Sequence, residues 1–203
     1  MIRNVVLDMG MVLMDYHPLQ ACRALAPHEA AAQQLYAALF AHPEWIGLDD
    51  NTLSLPELTR RATARVADPA LRPLIQTLTD GLPYNVLTPI PGMEDTVNWI
   101  RSLGFRTYVL SNAGLNVSQH PEIIPGIERF DGVLFSADEG VIKPDPRIYR
   151  RLTQRFSLTP AECFFVDDNA ANAQGARDEG WQAYVHTGDI PALRARIAAL
   201  PRA

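Results

Sequence analysis

Cysteine is scarce in this chain: there are two, Cys22 and Cys163, among 203 residues. Two thiols so far apart make neither a disulfide framework nor a thiolate metal site, and they fit a reducing compartment, so a cytoplasmic location is expected. Basic charge is also short. Lys and Arg number 18 against 23 Asp and Glu, a net charge of −5 at neutral pH. That balance argues against a protein that binds nucleic acid or an anionic membrane through its overall field. Any phosphate-bearing partner must be drawn in locally, by a metal ion or a placed Lys. No apolar run approaches the roughly 18 residues that a membrane span needs. The opening stretch, Met1 to Asp8, meets an acid too soon to read as a signal peptide. Internal repeats, low-complexity tracts and long charge runs are missing as well. What remains is an ordinary globular composition, 47% hydrophobic and 20% charged, ample for a core.

Short apolar runs rich in aromatic and β-branched residues end in small or acidic ones and are followed by helical segments. Ile2 to Leu7 ends at Asp8, Phe105 to Leu110 at Ser111-Asn112, and Gly132 to Phe135 at Ser136. Cys163 to Val166 ends at Asp167-Asp168, and Trp181 to Val185 at His186. These read as buried parallel strands. Between them, Glu94 to Leu103 carries Val97, Ile100 and Leu103 and stops at Gly104. Pro144 to Phe156 opens on two prolines, and Ala170 to Glu179 is stopped by Gly180; helix start and stop signals bound all three. Alternation of this kind predicts an α/β fold with a doubly wound parallel sheet. The stretch from Pro18 to Leu87 differs. It carries helical runs (Glu29 to Phe40, Pro56 to Val66, Pro69 to Thr79) and no convincing strand. The expected organisation is a core of residues 1–15 and 88–203 with an all-helical insertion over 16–87.

In an open α/β sheet, ligands bind at the carboxyl ends of the strands, where strand order reverses. Asp8, Ser111-Asn112 and Asp167-Asp168 each follow a predicted strand, and Lys143 precedes a proline-capped helix. Each alone has a plain structural use, as a turn residue, a helix cap or a solvated surface charge. Together, in this order, they imply a site. Converging carboxylates repel unless a cation resolves them, and all-oxygen ligands suit Mg²⁺. With a hydroxyl, an amide and a Lys beside them, the residues describe metal-assisted phosphoryl transfer on a small phosphorylated metabolite.

The motifs Val5-Val6-Leu7-Asp8, Val109-Leu110-Ser111-Asn112, Lys143-Pro144-Asp145-Pro146 and Phe165-Val166-Asp167-Asp168-Asn169, with Asn172 and Gly175-Ala176, resemble the haloacid dehalogenase superfamily. The likeness runs over essentially the whole chain and includes a helical cap after the first motif. It implies that Asp8 attacks phosphorus and that Ser111, Asn112 and Lys143 hold the substrate. Asp8, the Gly10 carbonyl and Asp168 would ligate Mg²⁺, with Asp167 ligating it too or supporting its water shell. Val12-Leu13-Met14-Asp15-Tyr16-His17-Pro18 is further similar to the branch containing glucose-1-phosphate phosphatases.

One departure stands out. Most phosphatases of the family carry a second Asp two residues after the nucleophile as general acid and base, where this chain has Gly10. Such assistance is typically worth about 10²–10⁴-fold in rate. An anomeric oxygen leaves more easily than other sugar hydroxyls, so sugar 1-phosphates are expected to be preferred to 6-phosphates. Asp15 or His17, just beyond the first motif, could lend a proton or hold a hydroxyl, though hinge or capping roles are commoner there. Trp45, Tyr84 and Asn85 could reach the pocket from the cap, although aromatics in a small helical bundle usually belong to its core. Two rivals remain: a metal-free 2-haloacid dehalogenase, in which Asp8 attacks carbon, and a module that binds a phosphometabolite without turning it over. Against the first, dehalogenases resemble one another in a Tyr-Gly-Thr run where this chain has Gly10-Met11-Val12.

Overall fold

The computed structural model describes residues 1–201, so the last two residues of the expected core range lie outside the described residues. In chain order the elements are β1 (Asn4–Leu7), β2 (Met14–Tyr16), α1 (Pro18–Leu25), α2 (Glu29–Ala38), α3 (Ile46–Asp49), α4 (Leu55–Arg65), α5 (Arg72–Asp80) and β3 (Leu87–Pro89). There follow α6 (Met93–Ser102), β4 (Arg106–Ser111), α7 (Leu115–Ser118), β5 (Gly132–Phe135), α8 (Ser136–Glu139) and α9 (Pro146–Phe156). The chain closes with β6 (Cys163–Asp167), α10 (Ala170–Asp178), β7 (Gln182–Val185) and α11 (Ile190–Ala198).

Five strands form one sheet in the order β5-β4-β1-β6-β7, every pair parallel. Leu7 of the central strand sits opposite Val109 on one side and Val166 on the other. Period-2 alternation divides this continuous apolar strand between two layers. Val5 and Leu7 pack into a core with α6 and α11, through Val97, Ile100, Leu193 and Ile197. Val6 faces the opposite layer, with Ile148, Tyr149 and Leu152 of α9. There Tyr149, Phe165 and Trp181 meet edge to face, with centroids 5.6 to 6.0 Å apart. The α/β doubly wound fold read from the sequence is what the chain adopts. Helix α9 starts as its residues dictate: Pro146 occupies the first turn and the Asp145 side chain accepts from the Arg147 amide;.

The segment between β2 and β3 is helical. The buried side chains of Cys22, Leu35, Leu39, Leu58, Ala62, Ile75 and Leu78 join the core that lies beneath β1. The sequence reading found no strand here, and the structure corrects it at the edge. Leu87–Pro89 pairs antiparallel with Met14–Tyr16, Asp15 opposite Thr88. The two crossings of the chain between sheet and inserted helices are thus tied into one ribbon. Three-residue strands carry too little alternation to be seen, and Pro89, which reads as a breaker, is tolerated because it stands at the strand's end. No helix among the described residues is long and apolar enough to cross a membrane.

Candidate active site

Strand order reverses at β1, which has β4 on one side and β6 on the other. The crevice beyond their carboxyl ends is therefore where side chains from separate strands converge. Asp8 follows β1, Ser111 ends β4 and Asp167 ends β6. The structure brings these together with Lys143, whose side chain is wholly buried.

Lys143 is the hub. Its Nζ lies 2.8 Å from Asp8 Oδ1 and donates to Asp167 Oδ2 at 2.8 Å and to the Leu110 carbonyl at 2.9 Å, which uses all three of its protons. Burial opposes its charge, but Asp8 and Asp167 outweigh burial and hold its pKa above the ordinary value. Asp167 is bonded on both oxygens. Oδ1 accepts from the Asn169 amide at 2.8 Å, and the Asn172 side chain donates to both at 3.1 and 3.2 Å. Asn112 holds the Lys143 backbone at two points. Its Nδ2 donates to the Lys143 carbonyl at 3.0 Å, and its Oδ1 accepts from the Lys143 amide at 2.8 Å. The side chain expected to touch substrate is thus committed to positioning the Lys.

Asp8 is less comfortable. Oδ1 accepts from the Met9 amide at 2.7 Å as well as facing Lys143, and Oδ2 has no hydrogen bond among the described residues. Burial pushes its pKa up to about 7, with Lys143 opposing and Asp167 adding to the rise. One cation between two buried carboxylates leaves net negative charge in a desolvated place. Asp168, exposed at the crevice mouth, adds another: Asp8, Asp167 and Asp168 can each offer an oxygen, all within 4.8 Å of one another. These three are the residues that could hold a metal ion.

A cavity of ≈ 220 Å³ opens over Asp8 and is lined by Gly10, Ser111, Asn112 and Asp168. The Ser111 hydroxyl carries no hydrogen bond among the described residues and remains available to a ligand. Trp45, Leu48, Leu82, Pro83 and Val86 make much of the wall apolar. Trp45 therefore reaches the cavity, whereas Tyr84 and Asn85 do not line it. Tyr84 is a surface residue bonded to Glu122 at 2.7 Å, and Asn85 donates to the Leu78 carbonyl. Asp15 and His17 do not line it either, and face each other across 3.8 Å.

Sequence reasoning missed Asp49. This residue closes α3 and lines the same cavity. Burial, Asp50 and Asp8 push its pKa up to about 7, with Lys143 opposing. Within the sequence, Asp49-Asp50-Asn51 reads as an ordinary turn, and no motif singles out its first acid.

Residues 2–180 match the family model described as haloacid dehalogenase-like hydrolase. The (S)-2-haloacid dehalogenase 2 of Pseudomonas sp. (strain CBS-3) is 29% identical over 187 residues, 89% of this chain and 82% of that protein. Acyl-CoA dehydrogenase family member 10 of Mus musculus is 37% identical over 103 residues, 50% of this chain but 9% of that much longer protein. Among solved structures, a HAD family enzyme from Bacteroides thetaiotaomicron, in complex with magnesium and inorganic phosphate, superposes with a TM-score of 0.72. The match spans 93% of this chain and 96% of that one at 17% identity. L-2-haloacid dehalogenase from Xanthobacter autotrophicus gives 0.68, covering 98% and 84% at 20% identity.

Proposed function

The chain belongs to the haloacid dehalogenase-like hydrolases, and from that premise we propose that it hydrolyses small phosphomonoesters, sugar phosphates among them, with Mg²⁺ and a transient aspartyl-phosphate on Asp8. One observation supports this reading above the rest. The cavity over the nucleophile is lined by Asp8, Asp49 and Asp168 and by no Lys, Arg or His among the described residues. Lys143 lies beneath it, already shared by two carboxylates. An anionic substrate enters such a place only with a cation. The donors are hard oxygens, which fit Mg²⁺ with water and a phosphoryl oxygen completing its shell.

Asp8, Asp168 and the Gly10 carbonyl would hold the ion, with Asp167 ligating it or supporting its water shell, and its charge would stabilise the phosphoryl oxygens. Asp8 attacks phosphorus and later releases phosphate to water. Ser111 holds a phosphoryl oxygen; Lys143, fixed by Asn112 and Asp167, would exchange its contact with the Asp8 carboxylate for a phosphoryl oxygen once Asp8 is phosphorylated. The test is phosphate release from a panel that includes glucose 1-phosphate and glucose 6-phosphate, with Mg²⁺ and with EDTA. Release is expected to need Mg²⁺ and to fall to background in Asp8→Asn.

A second reading follows from the 2-haloacid dehalogenase that matches 89% of this chain, and from the apolar walls, which suit a short carbon chain. Asp8 would then attack carbon, with no metal required. A 2-haloacid is itself an anion, however, and meets the same three acids unaided. Chloride release from 2-chloropropionate that survives EDTA, with no phosphate released from any ester, would establish the dehalogenase instead.

A further inference from the structure

The site has a nucleophile and a phosphoryl cradle but no obvious donor for the leaving group. The family's usual donor position is Gly10, and no neighbour has moved in to replace it. Among the described residues, a Cβ built on Gly10 meets nothing within 4 Å. Any acid must therefore come from another wall of the cavity.

Resting on the phosphatase reading above, we propose that Asp49, carried into the cavity by the inserted helices, is the general acid and base for the ester oxygen. Three observations single it out. First, it lines the cavity that contains Asp8, and its carboxylate has no hydrogen bond or ion pair among the described residues. Its neighbour Asp50 is consumed locally, accepting from the Thr52 amide at 3.0 Å and the Thr52 hydroxyl at 2.5 Å. Of two adjacent acids, one builds the turn and the other is left over.

Second, Asp49 has a fixed seat. The buried Ser136 hydroxyl donates to the Asp49 carbonyl at 2.5 Å while accepting from the Ala113 amide at 2.9 Å. The preceding residue presses on the sheet edge at Gly114, where a Cβ would lie 3.2 Å from Leu48 Cβ and 3.3 Å from the Leu48 carbonyl. Helix α3 is thus docked on the core that holds the nucleophile. Third, the groups facing Asp49 are Asp50, Asp8, Lys143 and the Tyr16 phenol. Burial and the two carboxylates outweigh Lys143 and, in the metal-free site, hold the pKa of Asp49 above the ordinary carboxylate value. A phosphate dianion arriving with one Mg²⁺ adds no net charge beside it. Tyr16 is the weaker donor, its phenol pushed above its ordinary value by burial and by Asp49.

The balance is simple. As the Asp8 carboxylate bonds to phosphorus, the phosphorus–ester oxygen bond breaks, and that oxygen takes the Asp49 proton and departs as alcohol. Water then attacks the aspartyl-phosphate and gives its proton to the Asp49 carboxylate. The phosphorus–Asp8 bond breaks, and phosphate, the Asp8 carboxylate and the Asp49 acid are restored.

A donor matters most for a basic leaving group. Benzyl phosphate and 4-nitrophenyl phosphate are close in size, and both suit a wall made by Trp45 and Leu48, but the first expels an alkoxide and the second an acidic phenol. With Mg²⁺, Asp49→Asn is expected to lose about 10²–10⁴-fold in kcat/KM on benzyl phosphate. The loss on 4-nitrophenyl phosphate should be at least tenfold smaller. Equal losses on both esters, or none on either, would overturn the role of Asp49 while leaving the phosphatase reading intact. Failure of wild type to release phosphate from either ester would overturn that reading and this role together.

Discussion

The central residues of the site are arranged against their own comfort. Lys143 balances one of two buried carboxylates, and Asp8 is the one whose charge is left over, with its pKa pushed up to about 7. A carboxyl raised in the folded state contributes stability that is full below its ordinary value near 4 and is lost as pH rises through about 7. Asp49 has the same sign and His186, lowered by burial, the opposite one, so a comparison between variants isolates Asp8 better than one pH curve does. Asp8→Asn leaves a neutral Lys143–Asp167 pair and can still accept from Lys143. In EDTA, the urea midpoint of wild type is expected to fall relative to that of Asp8→Asn between pH 5 and pH 8. A gap between the two midpoints that stays constant over that range would show that the burial of Asp8 carries no such cost. The strand-end position of Asp8, Ser111 and Asp167 was legible in the sequence because apolar runs stop at polar residues there. The commitment of Asn112 to the Lys143 backbone was not legible, because an amide that holds a ligand and one that holds a loop have the same sequence. Asp49 was invisible for a related reason: Asp50 is captured by Thr52 in a local turn, but the placing of Asp49 in the cavity wall depends on tertiary packing.

At the scale of elements, the inserted helices are coupled to the sheet through a few polar and close-packed points. Ser136, at the junction of β5 and α8, is one. Its hydroxyl joins the Ala113 amide after β4 to the Asp49 carbonyl at the end of α3. Ser136→Ala would leave a buried donor and a carbonyl without partners, and a buried orphan of this kind costs about 1–3 kcal/mol. The urea midpoint is expected to fall accordingly with an unchanged slope, since the surface exposed on unfolding stays the same. A variant as stable as wild type would mean that water replaces the hydroxyl and that α3 is not held there. The parallel strands and the long helices were readable because each is an apolar period bounded by Pro, Gly or a cap. Helix α4, for example, begins where Ser54 accepts from the Glu57 amide. The β2–β3 ribbon was not readable, because its pairing is non-local and each strand has only three residues. The helical insertion is legible without the ribbon; the doubly tied crossing is not.

For the whole molecule, the question is how a chain of net charge −5 gathers further acids around one cavity and stays folded. The core gives part of the answer. Asp8 and Asp167 stand at the ends of fully buried strands and Lys143 in the loop before α9, where the surrounding packing fixes them however unfavourable their charges are. The remainder falls to a cation under the proposed function. An ion that binds the folded state and not the unfolded chain stabilises by about 2.7 kcal/mol at a hundred times its Kd. For a domain of this size each kcal/mol moves Tm by about 2–4 °C. Saturating Mg²⁺ is therefore expected to raise Tm by about 5–10 °C over EDTA. Because Asp168 is the acid exposed at the crevice mouth and bonded to no other side chain among the described residues, Asp168→Asn should abolish most of that shift and alter the EDTA value little. Calcium, larger and more tolerant of irregular shells, should stabilise as well without supporting turnover of the favoured ester. A wild-type Tm indifferent to both ions would remove the metal from the site. The acids around Asp8 would then be tolerated for another reason, and the metal-free attack on carbon would become the better account of the cavity.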